Sequence, residues 1–190
     1  ATDNPVWNGL SDFGKKVVKE MNRVGMIVDV SHSSDETFWD VIKITKAPVI
    51  ASHSSARAIT NSPRNMSDEM IQAVADTGGI VMINFMTPYL DPEKSPEWKS
   101  ATGWHWFWHP KYPQTPVSMV IDHIDHIVQV AGIDHVGIGS DFDGTPTAWL
   151  PEGLKDVGDF PNITIELVRR GYKNKDIRKD LSWALPGEAP

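Results

Sequence analysis

Two histidines occur in the same sequence context, and imidazoles placed this way could bind a metal ion. In residues 28–34 and again in residues 49–55, a short apolar run leads into serine, histidine and two further serines, with the histidines at His32 and His53. A histidine just past the carboxyl end of a buried parallel strand lies at the mouth of an α/β fold, where such folds place their chemistry. Two of them on neighbouring strands could hold one metal ion.

Asp141 and Arg64 fall at comparable positions. Asp141 follows the predicted strand 135–139, and Arg64 follows His53 by eleven residues, in the loop expected at the same mouth. A carboxylate beside a metal site can take a proton from an attacking water and pass it to a leaving amine. An arginine beside the same pocket can hold a substrate carboxylate in a bidentate pair.

Each of these residues also has an ordinary structural explanation. A single buried histidine is more often hydrogen-bonded to a neighbouring loop, an aspartate in a turn often caps that turn, and most surface arginines are simply solvated. The repetition of the histidine context favours the metal-binding interpretation. By contrast, His123 and Asp125 have the His-x-Asp spacing of metal hydrolases, but they lie between the apolar positions of a predicted helix. We therefore expect them on its solvated face and not as ligands.

Composition narrows the classes of function. The chain has 190 residues, a net charge of −7 and no cysteine. The acidic balance argues against nucleic acid as a partner, and the lack of cysteine leaves His, Asp and Glu as candidate metal ligands. No apolar run reaches the roughly 20 residues that span a bilayer, so we expect no transmembrane segment and a soluble protein. Whether it lies in the cytoplasm or the periplasm stays open.

The hydrophobic pattern alternates between helical and strand periods. Helices are predicted at 11–24, 67–76, 117–131, 163–170 and 175–181. A further helix is predicted to begin at a capping box formed by Ser33 and Glu36 and to end at Pro48. Buried strands are predicted at 26–30, 48–51, 79–85 and 135–139. The first helix is predicted to face the core with Phe13, Val17, Met21 and Val24. This alternation predicts parallel βαβ units. The four predicted strands, with their helices, suit half of an eight-stranded barrel.

Residues 86–116 form a long irregular stretch between the third strand and the next helix. Such connections are uncommon in compact domains unless they have a function, so we expect an active-site or interface loop. Its tryptophan-rich part, 98–108, could stack on a base or sugar or could simply pack against its own domain or a partner. Its role stays open.

Four motifs together resemble the membrane (renal) dipeptidase family of zinc metallopeptidases. They are residues 29–32 (Asp-Val-Ser-His), 52–56 (Ser-His-Ser-Ser-Ala), 62–65 (Ser-Pro-Arg-Asn) and 137–144 (Gly-Ile-Gly-Ser-Asp-Phe-Asp-Gly), in this order and spacing. The resemblance runs from about residue 9 to 178. It implies an α/β fold in which parallel βαβ units form the second half of a TIM-like (β/α)8 barrel of the metal-dependent hydrolase type.

The resemblance also implies an activity and a role for each site residue. The family hydrolyses dipeptides at a site of two zinc ions, often with tolerance for a D-residue at the carboxyl end. By this comparison His32 and His53 bind the second zinc, Arg64 and Tyr89 contact the substrate, and Asp141 is the catalytic acid/base. The chain would thus supply ligands for one of the two zinc ions.

The chain departs from the family pattern at both ends. No strand-end His-x-Asp pair matches the family's ligands for the first zinc, and the tail 180–190 is atypical. We therefore expect residues 1–190 to form a single partial domain, completed by a complementary N-terminal half or by a homo-oligomer. One alternative is a non-catalytic remnant or half-site subunit that acts by binding. Another is a related hydrolase of cyclic amides or phosphoesters, which the Arg64 and Asp141 motifs argue against.

Overall fold

The computed structural model describes residues 6–94 and 114–182, which build a four-stranded sheet flanked by helices. The strands are β1 (Val28–Asp29), β2 (Val49–Ala51), β3 (Ile80–Ile83) and β4 (Val136–Ile138). They lie side by side in chain order, and each neighbouring pair is parallel. The predicted succession of parallel βαβ units is confirmed, and all four strands end at the same edge of the sheet.

Within the described residues, seven α-helices precede, connect or follow the strands. They are α1 (Asp12–Val24), α2 (Asp35–Ile44), α3 (Asp68–Asp76), the short α4 (Thr87–Leu90), α5 (Val117–Ala131), α6 (Phe160–Arg169) and α7 (Asn174–Ser182). Serine hydroxyls cap the first three, because the hydroxyl oxygens of Ser11, Ser34 and Ser67 each accept a backbone N–H from the first turn. The predicted helices agree with these bounds to within a few residues.

The cap predicted at Ser33 was wrong by one residue. Ser34 is the N-cap of α2 and accepts from the Thr37 backbone N–H, whereas the Ser33 hydroxyl donates to the Val30 carbonyl at 2.6 Å. The chain first turns at His32, whose φ of 65° is left-handed, and only then enters the helix. The Ser33 hydroxyl is thereby engaged with the strand end and not with the helix.

The hydrophobic core lies between the sheet and its helices. Its fully buried large side chains include Phe38 from α2, Ile71 from α3, Ile83 from β3 and Ile124 from α5. Along the strands, Asp29, Ile50 and Met82 are less buried than their neighbours. Because successive strand residues face opposite sides, these three mark the less covered face of the sheet.

Helix α1 does not bury the face that its apolar spacing predicts. Phe13 is 74% exposed and Val24 is 52% exposed, while Val18 is buried and Met21 packs against the core. The prediction assumed that the periodic stripe faces the core. Within the described residues β1 is an edge strand, and α1 contacts the core through Val18 and Met21.

The first strand also differs from its prediction. Residues 26–30 were expected to form a buried strand, but Met26 and Ile27 are 58% and 60% exposed, and only Val28 and Asp29 are in the strand. An edge strand has a neighbour on one side only, so its apolar residues gain less burial than those of a central strand. Val28 and Val30 alone are buried.

His123 on α5 is buried, which corrects its predicted place on a solvated face. Its Nδ1 accepts the Ala56 backbone N–H at 3.0 Å, and its Nε2 lies 2.9 Å from the Leu90 carbonyl oxygen. The imidazole thus joins α5 to the chain after β2 and to the end of α4. Asp125 lies apart from it, 2.6 Å from the Arg170 guanidinium and also 2.6 Å from the Tyr172 hydroxyl.

Two parts of the sequence interpretation lie outside the described residues. These are the tryptophan-rich segment 98–108 and the end of the atypical tail, 183–190. Across residues 6–94 and 114–182, none of the helices combines the length and the apolar character that a membrane crossing requires.

Candidate active site

The polar residues that follow the four strands meet at the carboxyl edge of the sheet. His32 follows β1, His53 follows β2, Asn84 follows β3 and Asp141 follows β4. His32 and Asp141 both have a left-handed backbone, with φ values of 65° and 62°. Non-glycine residues adopt this conformation at a cost, and such residues concentrate at functional sites.

The two histidine rings face each other. Their centroids are 4.9 Å apart and their planes are tilted by 55°. Two imidazoles that bind one tetrahedral zinc through ring nitrogens at about 2 Å place their ring centres about 5 Å apart. The separation of His32 and His53 therefore fits a shared zinc ion, and nitrogen ligands suit that metal.

A short chain of hydrogen bonds holds the ring of His53. Its Nδ1 lies 2.7 Å from the Ser52 hydroxyl oxygen, and that hydroxyl lies 2.5 Å from Oδ2 of Asp29. The other carboxylate oxygen of Asp29 accepts the backbone N–H groups of Ser31 and Ser52. Asp29 thus ties the end of β1 to the end of β2 directly beneath the two histidines.

The charges near His32 show which residues share its surroundings. Partial burial lowers the pKa of the His32 imidazole, and the positive charges of Arg64 and His53 lower this pKa further. Asp141 acts in the opposite direction and raises it. The site therefore brings His32, His53, Arg64 and Asp141 close enough to interact electrostatically.

Arg64 and Tyr89 are in direct contact. The guanidinium carbon of Arg64 lies 5.5 Å from the centroid of the Tyr89 ring, which is the geometry of a cation–π pair. Tyr89 is buried, and this burial raises the pKa of its phenol while Arg64 partly opposes the change. The two predicted substrate-binding residues therefore form one unit beside the histidines.

The loop that carries Arg64 is fixed by its neighbours. The buried Asn65 side-chain amide donates to the carbonyl oxygens of Thr60 and Tyr89, at 2.9 and 2.8 Å. Arg57 donates from Nε to the Asn65 carbonyl and makes a bidentate pair with Asp35, which lowers the pKa of that carboxyl. These bonds hold the backbone around Arg64 against Tyr89 and against the start of α2.

Asp141 is held by Asn84. The Asn84 amide nitrogen donates to Oδ2 of Asp141 at 2.9 Å, and its oxygen accepts the Met86 backbone N–H at 2.6 Å. Because the Met86 N–H can only donate, it fixes which end of the buried amide faces Asp141. The carboxylate of Asp141 is therefore oriented by a rigid donor.

A glycine allows the second and fourth strand ends to come close together. A Cβ added at Gly139 would lie 2.0 Å from the Ser52 carbonyl oxygen, and the Gly139 N–H donates to Ile83. No larger residue fits this position without moving the backbone. The glycine thus brings the Asp141 turn next to the Ser52–His53 segment.

The set of donors fits zinc but does not complete a site. Among the residues that the structure describes, no three or more His, Cys, Asp or Glu side chains are grouped so as to hold a metal ion. Structural and catalytic zinc sites use three or four protein ligands, of which His32 and His53 would be two. The two imidazoles therefore match part of a zinc site.

Three residues of this site were missed by the sequence interpretation, namely Asp29, Ser52 and Asn84. Asn84 had a usable signal, because it follows the third apolar run just as His32, His53 and Asp141 follow or lie near the ends of theirs. Asp29 and Ser52 lie inside the repeated motifs. Their mutual contact depends on the pairing of β1 with β2, which no local pattern shows.

The comparisons with known proteins agree on one family. The model of the membrane dipeptidase family (Peptidase family M19) matches residues 1–184. Dipeptidase tcpJ of Claviceps purpurea (strain 20.1) is 38% identical over 181 residues, which are 94% of this chain and 37% of that protein.

Solved structures match as well. One is a metallo peptidase from Rhodobacter sphaeroides, liganded with a phosphinate mimic of the dipeptide L-Ala-D-Ala. It is 32% identical to this chain with a TM-score of 0.77, and the match covers 90% of this chain and 44% of the Rhodobacter chain. The probable dipeptidase PvdM from Pseudomonas aeruginosa is 31% identical with a TM-score of 0.79, and the match covers 93% of this chain and 53% of the PvdM chain. This chain therefore spans between about a third and a half of the length of these relatives. The family match extends over nearly all of its residues, and the chain belongs to the membrane dipeptidase family, M19.

Proposed function

We propose that this chain carries the His32–His53 part of the metal centre of a zinc-dependent dipeptidase. The observation that carries the proposal is the facing pair of imidazoles, 4.9 Å apart, at the strand ends next to Asp141 and Arg64. The M19 match supports the proposal, because that family is the membrane dipeptidase family and the relative tcpJ is a dipeptidase. Zinc, when bound, would polarise the scissile carbonyl and stabilise the negative charge that develops on its oxygen.

Asp141 is proposed as the proton carrier. Its carboxylate would accept a proton from the attacking water and deliver it to the amine that leaves as the peptide bond breaks. Asn84 donates to Oδ2 of this carboxylate, so the group is already oriented when the substrate arrives. The left-handed backbone of Asp141 supports this assignment, because strained residues of this kind are typical of functional sites.

Arg64 and Tyr89 are proposed to bind the substrate. A dipeptide has a free carboxylate at its end, and a guanidinium pairs with such a group through two parallel hydrogen bonds. The ring of Tyr89 lies against the Arg64 guanidinium and limits where that group can point. We also propose tolerance for a D-residue at the carboxyl end, for which the bound L-Ala-D-Ala mimic in the Rhodobacter relative is the support.

The remaining ligands are proposed to come from outside the described residues. A complete site in this proposal holds two zinc ions, and His32 and His53 serve one of them. Either a complementary N-terminal half or a second copy of the chain would supply the others. This part of the proposal follows from the partial donor set and from the fraction of each relative that the chain covers.

A second candidate function is a half-site subunit that acts by binding and does not catalyse. One observation favours it: within residues 6–94 and 114–182 the two imidazoles have no third metal ligand grouped with them. Such a chain would bind zinc weakly and would retain the Arg64–Tyr89 unit for a carboxylate.

Hydrolysis of L-Ala-D-Ala and L-Ala-L-Ala by the purified chain, with and without added zinc, distinguishes the two functions. Zinc-dependent release of alanine that disappears in the Asp141→Asn variant supports the dipeptidase. Zinc binding without hydrolysis supports the half-site subunit. Hydrolysis that persists after metal removal by a chelator would contradict the zinc-dependent mechanism.

A further inference from the structure

We infer that Asp29 and Ser52 act as positioning residues that fix the tautomer of the neutral His53 ring. In this tautomer Nδ1 carries the proton and Nε2 presents a lone pair toward the mouth of the sheet. Nothing in the sequence comparison assigns a role to either residue. The inference depends on three contacts: Asp29 with Ser52, Ser52 with His53, and His53 facing His32.

The number of protons available determines the direction of each hydrogen bond. Oδ2 of an ionised Asp29 can only accept, so the single hydroxyl proton of Ser52 is donated to it over 2.5 Å. The Ser52 oxygen then has only lone pairs left for His53 Nδ1, which is 2.7 Å away. His53 must therefore carry its proton on Nδ1, and Nε2 is left unprotonated.

This arrangement matters because a metal binds only the unprotonated ring nitrogen. Groups that accept the other ring N–H fix the tautomer and orientation of metal-binding histidines, and their loss weakens metal affinity by about 10- to 100-fold. Without such a partner, His53 could place its proton on Nε2 and block the ligand position. The effect on zinc rests on the proposed function, whereas the tautomer is a property of the metal-free chain.

The variant Asp29→Asn should keep the hydrogen bonds from residue 29 to Ser52 and from Ser52 to His53, which we call the relay, but reverse their direction. Oδ1 of residue 29 accepts two backbone N–H groups, from Ser31 and Ser52, so an asparagine oxygen is retained at that place. Its NH₂ group then faces the Ser52 hydroxyl and donates to it. The Ser52 proton must now go to His53 Nδ1, which moves the ring proton to Nε2.

The direct readout is the tautomer of His53 by ¹⁵N NMR of the metal-free, histidine-labelled chain at about pH 8, where an ordinary imidazole is neutral. The His53 signals are assigned by their loss in His53→Gln. We expect an Nδ1–H ring in the wild type and an Nε2–H ring in Asp29→Asn. Ser52→Ala should give a mixture, and Ser52→Thr should restore the wild-type pattern because it keeps the hydroxyl.

Zinc affinity by calorimetry is the second readout. Asp29→Asn and Ser52→Ala should weaken binding by about 10- to 100-fold. The matched control is Ser33→Ala, which removes a serine hydroxyl that donates to the Val30 carbonyl and is not part of the Asp29–Ser52–His53 hydrogen bonds. This control should bind zinc as the wild type does.

Two results would overturn the inference. One is an Nε2–H tautomer for His53 in the wild-type chain. The other is an unchanged tautomer in both Asp29→Asn and Ser52→Ala while their folded-state spectra remain intact. If the tautomers change as expected but no variant or wild-type chain binds zinc, the relay stands and the proposed function fails.

Discussion

His32 and Asp141 share a backbone conformation that few residues other than glycine adopt. Their φ values of 65° and 62° place both in the left-handed region, where a Cβ is crowded by the neighbouring carbonyl at a cost of about 1–2 kcal/mol. Both follow a strand of the same sheet, and each turns its side chain into the same mouth. At the scale of single residues, the candidate site is therefore held by the backbone as well as by hydrogen bonds.

In the proposed dipeptidase, with its site completed, Asp141→Asn and Arg64→Ala should affect different kinetic constants. Loss of the proton carrier should lower kcat by about 10²–10⁴-fold, since that is the usual contribution of general acid/base catalysis. Loss of Arg64 should mainly raise KM, because it removes a charge-assisted pair to the substrate carboxylate. Steady-state kinetics on both variants checks this. An equal loss of kcat in both, or full activity in Asp141→Asn, would show that the roles are assigned wrongly.

Gly144→Ala should move the carboxylate of Asp141 without unfolding the chain. A Cβ at this position would lie 2.3 Å from Asp141 Oδ1, which is the end of a side chain that can rotate away. That rotation would break the bond from Asn84, so we expect kcat to fall while the free energy of unfolding changes by less than about 1 kcal/mol.

The control for this variant is Gly158→Ala. It also places a Cβ against a carboxylate oxygen, at 2.9 Å from Asp156 Oδ1, but away from the strand ends. Chemical denaturation and kinetics on both variants provide the comparison. If Gly158→Ala lowered kcat as much as Gly144→Ala does, the displacement of Asp141 would not be the cause.

Single residues at strand ends were largely predictable from the sequence. His32, His53 and Asp141 could be found because an apolar run leads into each of them. Asn84 satisfies the same rule but was overlooked, since an amide is a weaker chemical signal than an imidazole or a carboxylate. The contact between Asp29 and Ser52 joins residues 23 positions apart and becomes visible only when β1 pairs with β2.

Helix α5 is joined to the loops behind the site by one histidine. The Ala56 N–H can only donate and the Leu90 carbonyl can only accept, so His123 must be neutral with its proton on Nε2. Burial lowers the pKa of His123 to about 4 from its ordinary value near 6.5, and the bond to Leu90 only partly opposes this. Protonation would turn Nδ1 into a donor and break the bond to Ala56.

The stability of the chain should therefore fall as the pH drops from about 6.5 to about 4. In this window the unfolded chain binds a proton at His123 that the folded chain rejects, so acid favours unfolding. The full effect is about 3 kcal/mol, which is present above pH 6.5 and lost toward pH 4. Urea denaturation at a series of pH values measures it.

His123→Gln is the control for this pH dependence. The glutamine amide cannot titrate, so this variant should be less stable than the wild type near neutral pH but should lose less stability toward acid. Carboxylates elsewhere contribute equally to both proteins and cancel in the difference. Parallel stability curves for the two proteins between about pH 6.5 and 4 would contradict the role given to His123.

Hydrophobic periodicity predicted where the helices and strands lie along the chain, but it did not always predict which face of a helix is buried. The periods predicted α1 and α5 to within a residue, because serine or proline begins each helix and glycine follows it. Periodicity gives the apolar side of a helix without telling what packs on it. On α1, three of the four residues of the predicted apolar face are exposed, and on α5 the buried side extends far enough to include His123.

At the scale of the whole molecule, the part of the sheet that residues 6–94 and 114–182 form ends at β1 on one side and at β4 on the other. Exposed apolar side chains gather near the first edge, on α1 and in the residues that lead into β1. They form a set that we call the α1 flank: Phe13, Val17, Val24, Met26 and Ile27. Large exposed apolar patches and open strand edges are typical of surfaces that bind another chain.

We predict that the isolated chain self-associates through the α1 flank. Replacing Phe13 and Val24 by lysine should shift the chain toward the monomer, because both side chains are more than half exposed and lie on one face of α1. Sedimentation velocity at several protein concentrations measures the change. A wild-type chain that is a monodisperse monomer with a cooperative thermal transition would count against the prediction.

Val157→Lys is the matched control for this experiment. Val157 is 69% exposed but lies in the turn before α6, and not on the α1 flank. Its substitution adds one positive charge, as Phe13→Lys and Val24→Lys each do when made singly, and should leave the association unchanged. Equal dissociation in this variant would attribute the effect to net charge instead of the α1 flank.

The central claim is that His32 and His53 bind the same zinc ion at the mouth of the sheet. Anomalous diffraction at the zinc edge, from crystals of the zinc-loaded chain, tests this most directly. The account predicts an anomalous peak between the two rings, at about 2 Å from a nitrogen of each. Zinc bound elsewhere on the chain, with no peak between His32 and His53, would contradict it.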